Sequence, residues 1–336
     1  MRFELTQEQR DLAGTLDDLF TRSDTVAASR AWEDDDTGPG LEIMRQVAEI
    51  GLMAFCVPEE RDGVGAQPID VVAAFESIGR HLAPGPYIET AVLVPTLLSA
   101  AGGLDTAVLQ RVATGEAVAS AAAPPLAPYA LDADAADLLY VLDDATLRAA
   151  TASRRRRSVD GSRHLFEVEA GEVTGTAPPA TVAKALDLAT LACTAELLGL
   201  GERILAETVS YALVREQFGR PIGQFQAIKH ALANVRVALD FARPLLYKAA
   251  LSLGTDDECS GRDVSAAKVA TGDAAYLAAR TGLQVHGAVG YTRELSLGLA
   301  IAKVRALRDA WGTPAFHRSR VLESLMTDLA RGKETW

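Results

Sequence analysis

The stretch YALVREQFGRPIGQFQAIKH, residues 211–230, limits what this chain can fold into more than any other. Before it, Leu200, Ile204, Thr208, Tyr211 and Val214 recur at three- and four-residue intervals, the period of a long helix. Gly219, Pro221 and Gly223 break that pattern, and a second helix is expected from near Gln224. Two helices are thus joined by a short turn carrying Arg215, Gln217 and Gln226. A fixed cation beside amide donors suits a diphosphate or a nucleotide. The spacing alone also fits a plain surface helical hairpin.

The residue string narrows the choice. Arg215, Phe218, Gly219, Ile222, Gln226, Ala227 and Ile228 closely resemble the R-x-x-F-G-x-x-(I/L)-x-x-x-Q-A-(I/L) string of acyl-CoA dehydrogenases. In that family the string closes one helix of the C-terminal domain and opens the next. Its Arg and Gln cross a dimer interface to the diphosphate and adenosine of the FAD held mainly by the neighbouring subunit. The resemblance implies that Arg215 and Gln226, with Gln217 and Phe218 beside them, serve a partner's FAD. It can be followed from about Thr6 to Arg318.

Charge and composition agree with a helical protein that handles small molecules. Nearly half of the 336 residues are apolar, which favours an ordered core and two or three sub-domains. A formal charge of −12 argues against nucleic acid or an anionic membrane as main partner. Cys56, Cys193 and Cys259 lie far apart and read as reduced thiols. The N-terminus has no charged-then-apolar signal pattern, and no apolar run is long enough to span a bilayer, so a cytoplasmic protein is expected.

Along the chain, Thr6-Gln7-Glu8-Gln9 has capping-box form, and Leu12, Leu16, Leu19 and Phe20 follow at helical spacing. Residues 23–40 are acidic and punctuated by Gly and Pro, reading as a loop or frayed helix. Helices are expected over about 41–51, 68–81 and 89–101, with a short one ending near Gly115. The segment from Val57 to Thr90 resembles the family's N-terminal helical domain, although Asp62-Gly63-Val64-Gly65 keeps only part of its glycine pattern.

From Ala117 short apolar runs alternate with Pro and Asp-Asp, as strands and turns do. One hairpin is expected over Asp143-Asp144 and another over Ala170-Gly171. Arg154 to Arg157 read as a solvated loop, or as a contact to a CoA phosphate or an acidic partner face. The family's T-E-P-x-x-G-S-D loop and W-(I/V)-(T/S) strand, which hold the flavin ring, do not occur. After Thr181 the chain reads as an antiparallel bundle, with helices near 182–217, 224–254, 261–287, 295–310 and 313–331.

The family's reaction, α,β-desaturation of an acyl-CoA thioester, needs a carboxylate whose pKa burial has raised. The usual base sits in a Y-E-G-T string. Here Ala310-Trp311-Gly312-Thr313 aligns with it, which puts Trp311 at the base position. A second base position of the family falls on Ala189. Glu196, the only charged residue between Leu188 and Gly201, is either a displaced base or a buried structural acid; Glu294 is a weaker candidate in a turn. Gln284 to Gly290 resembles the family's Q-x-x-G-G-x-G loop, with Gly287 and Gly290 matched and Ala288 in place of the second glycine. His317-Arg318 read as surface in preference to a substrate-edge pair.

The expected fold is mainly α with a small β-domain, as in acyl-CoA dehydrogenases: an N-terminal helical domain (1–116), a reduced β-domain (117–180) and a C-terminal four-helix bundle (181–336). Three functions follow from the resemblance. The first is a subunit that completes the FAD site of a different, full-length subunit, as in heterotetramers acting on bulky CoA thioesters such as steroid derivatives. The second is a self-sufficient homo-oligomeric dehydrogenase using Glu196, and the third a non-catalytic acyl-CoA-binding relative. Expected partners are an acyl-CoA and an electron-accepting flavoprotein; no metal site is expected.

Overall fold

In the computed structural model, which describes residues 4–101 and 106–332, three helices open the chain: α1 (Gln7–Arg22), α2 (Thr25–Glu33) and α3 (Gly38–Glu49). The capping box is present, since Gln9 N–H donates to Thr6 Oγ1 and Thr6 N–H to Gln9 Oε1 at 2.9 Å. Residues 23–40 are not a loop. Asp24, in the left-handed region, accepts from Ala27 N–H and starts α2, which buries Trp32 completely. A local cap and one large buried ring outweigh a composition that reads as loop.

Next come α4 (Pro68–His81) and, beyond Pro84-Gly85-Pro86, a π-helical turn over Glu89–Leu93 running into α5 (Val94–Ala100). α4 starts on Pro68, with the Asp70 carboxylate accepting from Gln67 N–H at 2.8 Å. α6 (Thr106–Ala113) closes this helical part.

Five strands follow: β1 (Ala119–Ala122), β2 (Ala130–Leu131), β3 (Leu138–Asp143), β4 (Thr146–Arg156) and β5 (Leu165–Thr176), in sheet order β1-β3-β4-β5-β2. β3 and β4 form the expected hairpin over Asp143-Asp144, with Asp144 at positive φ. The second expected hairpin does not exist. β5 runs straight through Ala170-Gly171, paired antiparallel with β4, one residue shorter, with register shifts along the pair. Arg154 to Arg156 therefore lie on a strand and not in a loop. Arg155 pairs with Asp35 at 2.6 Å, and Arg154 and Arg156 with Glu167.

The remainder is helical: α7 (Pro179–Val214), α8 (Gln226–Gly254), α9 (Ser260–His286), α10 (Leu297–Asp309) and α11 (Pro314–Ala330). Between α7 and α8 a two-stranded ribbon, β6 (Glu216–Gln217) and β7 (Arg220–Pro221), turns over Phe218-Gly219, both at positive φ. At 36 residues α7 is about 54 Å long and forms the spine of the molecule.

Its middle packs on α4 backbone to backbone. A methyl group on Gly199 would lie 2.0 Å from Glu76 O, and one on Gly79 2.0 Å from Glu196 O. Only glycine allows this approach, and it draws Glu196 to the centre of the fold. Arg243 of α8 then bridges Glu76 Oε2 and Glu202, each at 2.6 Å, which gives the buried Glu76 an ion-pair partner. The expected outer limits of the first and last domains, residues 1 and 336, fall outside the described residues. Among these no helix is long and apolar enough to cross a membrane.

Candidate functional site

The start of α8, the end of α9 and the loop after it line an open groove of about 780 Å³. Ala227, Ile228, Gln284 and Gly287 line it. Arg215, Gln217, Phe218 and Gln226 are exposed at the neighbouring turn, where Phe218 is 93% exposed. Ile222 N–H donates to Arg215 O at 2.8 Å, which pins the ribbon beneath Arg215. Phe225, the N-cap of α8, offers no side-chain acceptor. An uncapped helix start beside an arginine is suited to a negatively charged group.

Gly287 ends α9 at φ +64°, and a methyl group there would meet no atom within 4 Å, so its backbone faces open space. Gly290 is different. It is buried against Leu283 and His286, and it supports the loop from beneath without facing the groove. Tyr211 stacks on His286, whose Nδ1 lies 2.8 Å from Gly282 O, so the last turns of α7 and α9 are joined by an aromatic contact.

Far from this groove, the Trp311-Gly312 turn packs into the fold. Trp311 is 1% exposed at φ +58°. His317 Nε2 donates to Trp311 O at 2.9 Å, while Ser265 Oγ, 3.1 Å away, donates to Nδ1. His317 is thus fully buried, contrary to the surface reading, and burial pushes its pKa down to about 4. Arg318 is exposed and paired with Asp273.

Trp311, Leu131, Arg163 and Glu89 wall a cavity of about 330 Å³ between the N-terminal helices, the sheet and α10. Cys193 Sγ lies 3.9 Å from Ala310 O, which sets this cavity level with Cys193 on α7. Arg215 is 22 residues further along, about 33 Å away.

Glu196 does not line the cavity. It is buried in a charged cluster with Lys303, Arg163, Lys268 and Asp160; burial raises its pKa against the pull of Lys303 and Arg163. Lys303 pairs with Asp160 at 3.4 Å, both almost wholly buried. Burial lowers Arg163, but Glu196, Glu89 and Asp160 outweigh it and hold the guanidinium charged. Of the two readings of Glu196, this surrounding supports the structural acid. Glu294 is exposed.

Sequence reading missed Glu89, Asp160, Arg163 and Lys303. Each is a single charge in a short apolar or turn-like run, and only the fold brings them together. Asp132, Asp134 and His164 also gather, among the described residues, at spacing that could hold a cation. His164 Nδ1 faces Asp134 at 2.7 Å and Nε2 faces Trp32 O at 2.9 Å, so both ring nitrogens are already engaged. The three cysteines are free thiols.

Comparison with known proteins gives the family. Residues 180–326 match the family described as acyl-CoA dehydrogenase, C-terminal domain, and residues 6–116 match the N-terminal domain family. The chain is similar to acyl-CoA dehydrogenase IpdE2 of Mycobacterium tuberculosis, 30% identical over 299 residues, covering 87% of this chain and 89% of the relative. IpdE2 of Mycolicibacterium smegmatis is 28% identical over 313 residues, covering 92% and 96%. The fold is shared with a chain of the ChsE4-ChsE5 complex from Mycobacterium tuberculosis, at a TM-score of 0.82 and 22% identity, covering 97% of this chain and 99% of the other.

Proposed function

The chain belongs to the acyl-CoA dehydrogenase family, and from that premise we propose that it is a subunit completing the FAD site of a different, full-length partner chain. The cofactor of the family is FAD, which when bound accepts the β-hydrogen of an acyl-CoA as hydride. The groove at Arg215 fits the diphosphate and adenosine end of that cofactor. The groove and the adjoining turn offer a guanidinium, side-chain amides, an uncapped helix start and an open glycine backbone. The opposite half does not fit. The turn where a base would stand holds buried Trp311, and the two strings that grip the flavin ring are missing.

The observation that carries this reading is the separation of Arg215 from Trp311, about 33 Å along α7. One chain cannot bring both to a single cofactor, which supports a role for Arg215 in the site of a second chain. In this role Arg215 neutralises diphosphate charge, Gln226 and Gln284 hydrogen-bond the nucleotide, and Gly287 admits its close approach. The partner supplies the base that removes the α proton and the contacts to the ring. The ChsE4-ChsE5 structure is, by its name, a complex of two different chains. A heterotetramer acting on a bulky thioester is the corresponding expectation here, with an electron-accepting flavoprotein downstream.

Glu196 as the base of a self-sufficient enzyme is disfavoured by its enclosure among Lys303, Arg163 and Lys268. The test is co-expression with full-length acyl-CoA dehydrogenase chains encoded nearby, followed by flavin stoichiometry. One flavin per unlike pair supports the shared site, and a yellow protein purified alone contradicts it.

A further inference from the structure

The cavity beside Trp311 has properties that the FAD reading does not use. Glu89 sits in the π-helical turn at its inner end, 3% exposed, with Oε2 lacking any hydrogen-bond partner. A buried carboxyl oxygen left unpaired in the wall of a cavity is costly unless something meets it. The walls include Leu126, Leu131, Leu165 and Trp311. At the rim stand Arg157 and Arg305, with Asp309 the one acid beside them. Arg154, Arg155 and Arg156 each pair with a carboxylate, whereas Arg157 makes no ion pair among the described residues. Arg305 rests on Tyr276, its guanidinium carbon 5.6 Å from the ring centre.

We infer that this cavity is a non-catalytic binding site for a small apolar anion, a hydroxy- or oxo-carboxylate whose acid end lies at Arg157 and Arg305 and whose oxygen meets Glu89. At about 330 Å³ it lies at the small end of the roughly 300–1,000 Å³ seen for ligand pockets. Burial pushes the Glu89 carboxyl up to about 7 against the pull of Arg163, so at neutral pH it can both donate to and accept from an oxygen. With Trp311 aligned to the base position, the family's usual carboxylate base is missing from the wall of this cavity. The inference is independent of the shared FAD site, which lies at the other end of α7.

Calorimetric titration of the full chain at pH 7 tests it with three probes: 4-(4-hydroxyphenyl)butanoate, 4-phenylbutanoate and 4-(4-hydroxyphenyl)butylamine. The hydroxy acid should bind one per chain, about five- to tenfold more tightly than the unhydroxylated acid, and the amine should give no saturable heat. Glu89→Leu should remove the hydroxyl preference while leaving acid binding. Arg157→Ala combined with Arg305→Ala should weaken both acids alike. Ala306→Phe, on the cavity wall, should abolish binding with the melting temperature kept, which serves if Glu89→Leu does not fold. No saturable binding by folded protein at millimolar acid, equal binding of the amine, or full binding by Ala306→Phe would overturn the assignment.

Discussion

The rings of Tyr211 and His286 stack with centroids 4.1 Å apart and planes 24° from parallel. Tyr211 lies one turn before Arg215, and His286 directly precedes Gly287, so the contact ties the Arg215 turn to the Gly287 loop. Such a stack contributes about 0.5–1.5 kcal/mol. Replacing Tyr211 by Leu should therefore lower FAD affinity of the reconstituted complex about two- to tenfold, read by equilibrium dialysis of flavin. An unchanged affinity would show that the turn and the loop are held by packing alone.

The contact between α4 and α7 makes a stability test. Gly199→Ala drives a methyl group into Glu76 O and should cost at least about 1–3 kcal/mol in urea melts. Gly14→Ala is the control. It lies inside α1 with nothing within 4 Å of the added methyl, and it should stabilise by about 0.5–1 kcal/mol. Equal behaviour of the two would refute backbone contact between the helices.

His317 should make the fold sensitive to acid. Its folded pKa, about 4, lies below the ordinary value of 6.5, so the unfolded chain binds the extra proton more readily. The stability it contributes is complete above pH 6.5 and is lost as pH falls from there to 4, at most about 3 kcal/mol. His317→Gln should flatten the stability profile across that window, measured by denaturant melts from pH 8 to pH 4. An unaltered slope would locate the acid response elsewhere.

Substitutions at Glu196 and Trp311 test whether this chain carries a catalytic centre of its own. Glu196→Gln leaves Lys303 and Arg163 short of an anion and should destabilise the chain by several kcal/mol, roughly the 3–5 kcal/mol of a broken buried pair. Loss of turnover with melting unchanged would instead restore Glu196 as a base. Trp311→Glu should yield little dehydrogenation by the chain alone, because the two strings that hold the flavin ring in the family do not occur here. Strong activity would mean that the near flavin site is intact.

What could be read from the sequence followed the range of each signal. The long helices were legible because a buried face repeats every three or four residues, and α7, α8 and α9 fall within a few residues of expectation. The Arg215 turn was legible as one continuous string. α2 was hidden because its evidence is distant: Trp32 is buried against the sheet, its indole N–H 3.2 Å from Asp132. The β4–β5 ribbon was misread for the same reason, since Gly171 has the local look of a turn while its pairing lies about twenty residues back. Glu89, Arg163 and Lys303 meet from three segments separated by more than seventy residues. A lone charge in an apolar run says that a partner exists and not where.

The most direct test of the shared site is flavin content of the unlike pair with and without Arg215. A charge-assisted contact to a diphosphate oxygen contributes about 1.5–3 kcal/mol, roughly ten- to a hundredfold in affinity. Arg215→Ala changes an exposed residue, so the isolated chain should fold as before. In the complex, one flavin per unlike pair is expected before the substitution, and reduced FAD occupancy and activity after it. Full occupancy in Arg215→Ala, or one flavin for every chain, would contradict the shared site.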